Sequence, residues 1–351
     1  MSESRGRSAA ALLFLSVALQ APAWAQTQTQ KPADCVEIAD DVTRLACYDK
    51  THGRAPRAAD IPALAAPAAS AAALATAAAA ELPSRLDARW DLDGTKGVLF
   101  APRAYKPVYL LPATWTDQVN RRPSSPSPEH SVPADLALRS VEAKYQLSLK
   151  AKLGQNLLGS EVSLWGGYTQ SSRWQVYDGA ASRPFRETNY EPELMLVWPL
   201  RAEWAGWRLR MGSVSLNHQS NGRSLPLSRS WNRVIGTLAA ERGDWVVEFR
   251  PWMRIREKST DDDNPDLVDY VGRAELLVSR YWGEHALSLQ VRHTLRSARN
   301  SRGSGQLDYV FPLAGALHGH VQLFSGYGES LIDYNLRQAR IGFGVTIAGW
   351  R

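Results

Sequence analysis

The chain has 351 residues, enough for one large domain or two smaller ones, and a net charge of +6 with a pI of about 9.3. It lacks basic runs interleaved with nucleic-acid-binding motifs, so no nucleic-acid partner is expected. The charge favours a general surface property first and a preference for lipid headgroups second. Thirteen Trp and twelve Tyr residues at a mean hydropathy of −0.32 are typical of proteins that place amphipathic rings at membrane interfaces.

Residues 1–25 have the pattern of a secretory signal peptide. Two arginines provide the positive start, residues 9–19 the apolar core, and an Ala-Trp-Ala segment a cleavage site of small residues before Gln26. We therefore expect an exported protein whose mature chain begins at Gln26. Neither cysteine has the context of lipoprotein processing, so no N-terminal lipid anchor is expected.

The sequence contains two cysteines, Cys35 and Cys47. In an exported chain such a pair favours a disulfide, which here would close a short loop around a helical turn. Two reduced thiols or a metal site remain alternatives, with His52 as the other candidate ligand nearby.

Residues 53–85 are rich in Ala and Pro and lack periodicity, which predicts a linker or a disordered extension. A helix at residues 68–80 is the alternative, because alanine has the highest helix propensity. We expect residues 26–85, the Cys-containing segment and the linker, to form an N-terminal periplasmic extension, and residues 86–351 to form the main domain.

The main domain is predicted to consist of β-strands. No segment of the sequence is typical of a membrane-spanning helix, but barrels span a membrane with strands of alternating polarity. Twelve strands are predicted, at residues 106–114, 139–151, 160–179, 189–200, 206–220, 231–240, 244–256, 267–280, 285–297, 304–312, 316–326 and 338–349. A soluble sandwich can show similar patterning, but the even number and the length of the strands favour an all-β, twelve-stranded antiparallel transmembrane β-barrel.

The segment at residues 217–233 combines the residue types of acyl-transfer chemistry. If the strand before it continues through Ser220, His218 and Ser220 project from the same face, since strand side chains alternate. The loop that follows can bring Asn232 back beside His218. This predicts a triad with Ser220 as nucleophile, His218 as general base and Asn232 as acceptor of the ring N–H. On spacing alone, a packed or surface histidine is the commoner explanation of such a pair.

Five segments of the sequence match one known family, at residues 168–170, 184–192, 217–233, 262–266 and 325–335. They closely resemble the outer-membrane phospholipase A family, calcium-dependent barrel enzymes of Gram-negative bacteria, and the resemblance extends over roughly residues 97–351. It implies a hydrolase of the cell outer membrane that cleaves acyl esters of phospholipids and lysophospholipids, with phospholipase A1 and A2 activity. A catalytically inactive barrel or pore is the alternative, and a soluble periplasmic binding protein a third hypothesis.

The parity of the site residues predicts their orientation. Leu216 shares the parity of His218 and Ser220, whereas Asn217 has the opposite one. We therefore expect His218 and Ser220 to point outward at the outer rim of the membrane, where they can meet a lipid ester. An ionised Asp beside hydrocarbon would be costly to desolvate, so a neutral Asn232 suits this position.

The sequence lacks a G-x-S-x-G nucleophile elbow, so another element must stabilise the oxyanion. The resemblance implies a calcium ion bound by the carbonyl of Arg223 and the hydroxyl of Ser228 from one subunit and by Ser182 from the other, with water completing an oxygen shell. It also implies Gly222 as a backbone N–H donor, although a turn glycine is an equally natural role. The positive charge of Arg183 would weaken calcium binding.

The resemblance further implies a second calcium site and a homodimer. Asp263, in the acidic turn 261–266, is the implied ligand of a second, weaker site in the monomer; a solvated turn is the alternative. Because the first calcium ion would be shared between subunits, activity is expected to require a homodimer. Gln170, Leu147 and Leu149 match the interface positions of the family, and for the leucines ordinary lipid-facing positions are the alternative.

Overall fold

The computed structural model of the chain describes residues 35–52, 84–94 and 97–348. The expected signal peptide, the expected linker up to residue 83 and the alternative helix at residues 68–80 lie outside the described residues. The described residues fall into two units, one containing residues 35–52 and the other containing those from residue 84 onward. In this part of the chain, no helix has the length and apolar character needed to cross a membrane.

The first unit contains one helix, α1 (Asp41–Thr51). Asp40 caps its N-terminus, because the carboxylate accepts hydrogen bonds from the hydroxyl of Thr43 at 2.6 Å and from its backbone N–H at 2.9 Å. These two bonds lower the pKa of Asp40 from its usual value. Cys35 and Cys47 are joined by a disulfide, which confirms that prediction and excludes the free-thiol and metal alternatives.

The second unit is a closed antiparallel barrel of twelve strands preceded by a two-residue strand, β1 (Arg103–Ala104). The barrel strands are β2 (Val108–Thr116), β3 (Val141–Gly154), β4 (Ser163–Trp174), β5 (Phe185–Trp204), β6 (Trp207–Ser220), β7 (Ser230–Arg242), β8 (Trp245–Ile255), β9 (Ala274–Trp282), β10 (His285–His293), β11 (Gly303–Ala314), β12 (Leu317–Gly326) and β13 (Gln338–Ala348). Each barrel strand pairs with its sequence neighbour, and β13 pairs with β2 to close the cylinder. The predicted fold class is confirmed.

The two rims of the barrel differ in the length of their connections. At the short-turn rim, four of the connections have two residues, at 205–206, 243–244, 283–284 and 315–316. At the long-loop rim, the connections are residues 117–140, 175–184, 221–229, 256–273, 294–302 and 327–337. Outer-membrane barrels have short periplasmic turns and longer extracellular loops, so the long-loop rim is the extracellular one.

A short helix, α2 (Arg85–Trp90), fills the lumen at the short-turn rim. The hydroxyl of Ser84 caps it by accepting the backbone N–H of Asp87 at 3.0 Å. Leu86 and Trp90 are buried in an apolar cluster with inward-facing side chains of the barrel strands. Arg89 adds an ion pair of 2.9 Å with Glu248 of β8. The helix is therefore part of the interior packing of the barrel.

One predicted strand was wrong at its beginning. Residues 267–280 were expected to be extended, but the structure has a one-turn helix, α3 (Val268–Val271), before β9 begins at Ala274. The helix buries Val271, together with Leu267, in an apolar cluster at the long-loop rim. Gly272 then adopts a φ of +106°, and a Cβ atom there would lie 2.5 Å from the carbonyl oxygen of His293. This close approach of two backbones requires glycine and ends the helix.

The lumen is charged at its long-loop end. Glu329, whose side chain is 1% exposed, pairs with Lys144 at 3.0 Å and with Arg173 and Arg340 at 3.1 Å each. Burial alone would raise the pKa of Glu329, but these three cations hold it well below its usual value. A cavity of about 160 Å³ lies within this network, so the described part of the lumen is filled largely by paired side chains.

The outer face of the barrel is apolar. Strand positions that alternate with the buried lumen residues carry exposed aliphatic and aromatic side chains, among them Leu110, Leu147, Leu149, Leu194, Leu196, Val214, Leu216, Leu238, Phe249, Leu276, Leu289, Leu323 and Phe343. Aromatic residues such as Trp115, Trp204 and Trp245 lie at strand ends. An apolar band with aromatic residues at its borders is the surface that a barrel presents to a bilayer.

Candidate active site

The final residues of β6 place a histidine and a serine on the outer face. Ser215 and Asn217 are buried in the lumen, whereas Leu216 and His218 are exposed. Ser220 has the same parity and is partly exposed. Because side chains of a strand alternate, His218 and Ser220 are next neighbours on the wall that faces the bilayer.

Asn232 of β7 is the register partner of His218, and the two side chains are in contact. The distance between Nδ1 of His218 and Oδ1 of Asn232 is 2.8 Å. An amide oxygen only accepts hydrogen bonds, so Nδ1 carries the proton and Nε2 of the neutral ring is left as the acceptor. A ring in this tautomer can take a proton from a neighbouring hydroxyl through Nε2.

The loop after Ser220 is organised by Asn221, a residue that sequence reasoning missed. Its Oδ1 accepts the backbone N–H groups of Arg223 at 3.2 Å and Arg229 at 3.0 Å, and its Nδ2 donates to the carbonyl of Leu227 at 2.8 Å. One buried amide thus holds both ends of the loop 221–229. An Asn at the start of a Gly-containing loop was the available signal, because its side chain can bond the backbone two residues on.

Gly222 occupies the position that follows Asn221. Its φ is +58°, a conformation that other residues adopt only under strain, and a Cβ atom would lie 3.1 Å from the ring of Tyr190. Both observations require glycine here, two residues after Ser220.

Two of the expected calcium ligands are in direct contact. The hydroxyl of Ser228 donates to Oδ2 of Asp263 at 2.8 Å, and the other oxygen of Asp263 lies 2.9 Å from Nε2 of His130. A hydroxyl that gives its proton to a carboxylate keeps its lone pairs for a cation, so this donor set fits an oxygen-coordinated ion. The other two expected ligand residues, Arg223 and Ser182, are exposed in loops of the same rim. Among residues 35–52, 84–94 and 97–348, no group of three or more His, Cys, Asp or Glu side chains is arranged to hold a metal.

The expected interface residues lie on the same outer face as the serine. Strand register connects them in one row, since Leu147 pairs with Gln170, Gln170 with Tyr190 and Tyr190 with Ser220. Leu147 and Leu149 are 52% and 48% exposed. Three strand spacings, about 14 Å, separate Leu147 from Ser220.

An open groove of about 460 Å³ adjoins the histidine on the outer face. His218 and Asn232 line one part of it, and Leu194, Leu216 and Ile255 line another. The groove therefore combines an apolar wall with an imidazole, which suits a ligand that has a hydrocarbon chain next to a polar group.

Comparison with known proteins gives one family. The family model described as phospholipase A1 matches residues 86–347. A phospholipase A1 from Klebsiella pneumoniae is 41% identical over 69% of this chain and 81% of its own length. A putative phospholipase A1 from Neisseria meningitidis is 34% identical over 98% of this chain and 97% of its own.

Solved structures agree with the sequence comparison. The outer membrane phospholipase A from Escherichia coli aligns with a TM-score of 0.64 at 38% identity, covering 72% of this chain and 93% of that one. An outer membrane phospholipase dimer with bound calcium from Salmonella typhi aligns with the same TM-score and identity, covering 72% and 94%.

Proposed function

The chain belongs to the phospholipase A1 family, whose barrel hydrolyses phospholipids in the outer membrane, and from this premise we propose that it is a calcium-dependent serine hydrolase activated by dimerisation. Its substrates are phospholipids and lysophospholipids, cleaved at either acyl position as phospholipase A1 and A2. The observation that supports this most directly is the 2.8 Å contact between His218 and Asn232 on the outward face that Ser220 shares.

In the first half of the proposed reaction, Ser220 Oγ attacks the ester carbonyl of a lipid that has entered from the bilayer. Nε2 of His218 takes the hydroxyl proton and then passes it to the oxygen of the leaving lysophospholipid. Asn232 accepts the Nδ1 proton, which keeps the ring in the tautomer whose Nε2 is basic. The acyl chain remains as an ester on Ser220 and lies along the apolar wall of the groove.

In the second half, water replaces the lysophospholipid beside His218. Nε2 removes a proton from this water, the hydroxide attacks the acyl ester, and the proton returns to Ser220 Oγ as the fatty acid leaves. The backbone N–H of Gly222 is the proposed donor to the oxyanion in both halves, because it lies two residues from Ser220 in a conformation that glycine permits.

Calcium binding is assigned to the long-loop rim. We propose the carbonyl of Arg223 and the hydroxyl of Ser228 as ligands from one subunit and Ser182 as a ligand from its partner, with Asp263 serving a second, weaker site. A bound calcium ion supplies positive charge that polarises the ester carbonyl. The hydrogen bond from Ser228 to Asp263 supports this assignment, because it orients the lone pairs of the hydroxyl away from the carboxylate.

A homodimer is the proposed active form. Leu147, Leu149 and Gln170 form its contact surface, and the strand row that connects Leu147 with Ser220 supports a dimer in which the partner lies close to the site. The outer membrane phospholipase of Salmonella typhi, 38% identical to this chain, is a dimer with bound calcium, and this likeness supports the assignment.

For the N-terminal region, we propose that residues 1–25 are a signal peptide and that residues 26–85 form a Cys-containing segment and a linker before the barrel at residues 86–351. The export signal and the disulfide are consistent with an oxidising envelope compartment.

The nucleophile is tested with Ser220→Ala purified in detergent. Fatty-acid release from a phospholipid should fall by at least about 1,000-fold, because loss of a nucleophile leaves only background catalysis. The migration of the unheated protein on a gel should stay that of a folded barrel. Full activity in Ser220→Ala would refute the assignment of the nucleophile.

Calcium and dimerisation are tested together by measuring the specific activity of the wild type against protein concentration, with Ca²⁺ and with EDTA. Activity should rise with concentration in Ca²⁺ and be lost in EDTA, since the shared ion links the two subunits. Equal specific activity at all concentrations, with or without EDTA, would exclude both proposals while leaving the Ser220 assignment intact.

A further inference from the structure

Glu257 contacts the amide of Asn232 at the end that does not face the imidazole. Nδ2 of Asn232 donates a hydrogen bond to Oε1 of Glu257 at 2.6 Å, while Oδ1 of the same amide faces His218. Glu257 follows the end of β8 at Ile255, which is the register partner of Asn232. Strand pairing therefore brings the loop that carries Glu257 next to the proposed catalytic residues.

The carboxylate of Glu257 is itself held in place. Its Oε2 lies 3.4 Å from Nη2 of Arg254, and the same guanidinium donates to Asp262 at 2.6 Å and to the carbonyl of Asn264 at 2.8 Å. The side chain of Arg254 is 9% exposed and that of Glu257 is 18% exposed. The glutamate is thus fixed by one partner at each oxygen and is largely shielded from water.

The contact decides which end of the Asn232 amide meets the imidazole. The oxygen and nitrogen of an amide are nearly equal in size, so rotation by 180° would place an NH₂ group against the Nδ1 proton of His218. An ionised carboxylate only accepts hydrogen bonds, so Glu257 requires the NH₂ group on its own side. The amide oxygen is then left facing the ring.

The charge of the carboxylate has a second effect. A negative charge beside the NH₂ group polarises the amide and increases the negative charge on Oδ1. That oxygen faces the ring that becomes an imidazolium when Ser220 is deprotonated. A neutral asparagine that is hydrogen-bonded to a glutamate therefore stabilises the imidazolium better than an isolated asparagine does. The carboxylate itself does not line the outer groove, because Asn232 lies between the two.

We propose that Glu257 is a positioning residue that acts through Asn232 to orient and polarise the base of the hydrolytic site. The inference rests on the proposed function, since it concerns the same triad. It predicts an effect on the rate at which bound substrate is hydrolysed rather than on substrate binding, because Glu257 does not line the groove beside His218.

The test compares kcat and KM for fatty-acid release by Glu257→Ala, Glu257→Gln and the wild type. Glu257→Ala should lower kcat by about tenfold, the size of one hydrogen bond to a charged group, and leave KM within about twofold. Glu257→Gln should lose less, because its amide oxygen can still accept the Asn232 N–H. Glu284→Gln, which removes an exposed glutamate from a turn at the other rim, is the matched control and should keep the kcat of the wild type.

A double-mutant cycle separates positioning from general loop stability. In the Asn232→Ala background, adding Glu257→Ala should cause no further loss of kcat, because the route of its effect has already been removed. An equal additional loss in that background would overturn the inference, and so would unchanged kcat in Glu257→Ala. Both outcomes differ from a failure of the proposed function, in which the wild type releases no fatty acid or Ser220→Ala releases as much as the wild type.

Discussion

The two faces of β6 differ in how many polar partners each side chain has. On the lumen face, Asn217 donates to Glu191 at 3.0 Å and accepts from Arg233 at 2.8 Å, and Arg233 in turn pairs with Glu191 at 2.9 Å. On the outer face, His218 contacts Asn232 at 2.8 Å and has Leu216 as its apolar neighbour. Of these two adjacent residues, Asn217 therefore belongs to a dense ionic network and His218 to a site open to the bilayer.

This difference separates stability from chemistry. The lumen network holds the backbone of β6 from the inside, so the outer side chains need few contacts to keep their positions. The groove can then remain open for a substrate. Changes in the lumen are expected to alter the stability of the barrel, and changes on the outer face to alter catalysis.

The largest expected effect tests the lumen side of this comparison. Glu329→Gln would leave three buried cations without their shared carboxylate, so the free energy of unfolding should fall by about 3–5 kcal/mol. Glu329 has a folded-state pKa well below its usual value, so its stabilisation is present above the unfolded pKa and is lost as the pH falls through the lower folded one. Urea-induced unfolding from lipid vesicles, and refolding into them, at neutral pH measures the difference in the free energy of unfolding between variant and wild type.

Glu203→Gln, at an exposed position near the short-turn rim, is the control and should unfold like the wild type. If Glu329→Gln unfolds at the urea concentration of the wild type but hydrolyses phospholipid more slowly, the proposed division between lumen residues that determine stability and outer-face residues that determine catalysis is wrong.

The second prediction concerns the outer rim. Gly222→Ala forces an alanine into positive φ and brings its Cβ to 3.1 Å from Tyr190, so the loop must shift beside Ser220. We expect kcat to fall about tenfold or more, because donors to an oxyanion tolerate little displacement. Measured kcat for phospholipid hydrolysis checks this. Gly305→Ala is the matched control, since a Cβ there meets nothing within 4 Å, and a similar loss in both variants would contradict the prediction.

The smallest effect is expected for an ion pair outside both regions. Glu161 pairs with Arg201 at 2.7 Å near the short-turn rim, where both side chains are more than half exposed. Glu161→Gln should change neither the midpoint of unfolding nor kcat beyond experimental error, because water and salt screen such pairs. A clear loss of stability in this variant would mean that the lumen network is not the main polar contribution to barrel stability.

Much of the fold could be predicted because a barrel strand repeats one simple pattern. Alternation located all twelve barrel strands, and the shared parity of Leu216, His218 and Ser220 gave their common face without any knowledge of long-range contacts. The helix at Val268–Val271 could not be predicted in this way. A four-residue segment with two valines and a tyrosine fits a strand or a helix equally well until the cluster that receives Val271 is known.

The site was predictable in its central residues and less so in their supports. Pairing across a short loop places Asn232 beside His218, so local sequence was sufficient. Glu257 lies in an irregular loop, where neither periodicity nor a motif indicates what a side chain contacts. The partners of Glu329 lie on β3, β4 and β13, and only the closed barrel brings these three strands together around it.

The row of paired residues that includes Ser220 also determines how deep Ser220 lies in the bilayer. In a tilted barrel strand, a register slip of two residues preserves which side chains face outward and moves each of them by roughly 5 Å along the bilayer normal. Phospholipid esters occupy a narrow layer between headgroups and hydrocarbon. The register of β5, β6 and β7 therefore fixes the depth of Ser220 at the level of the substrate ester. Because that level changes with bilayer thickness, bilayer thickness becomes a determinant of turnover.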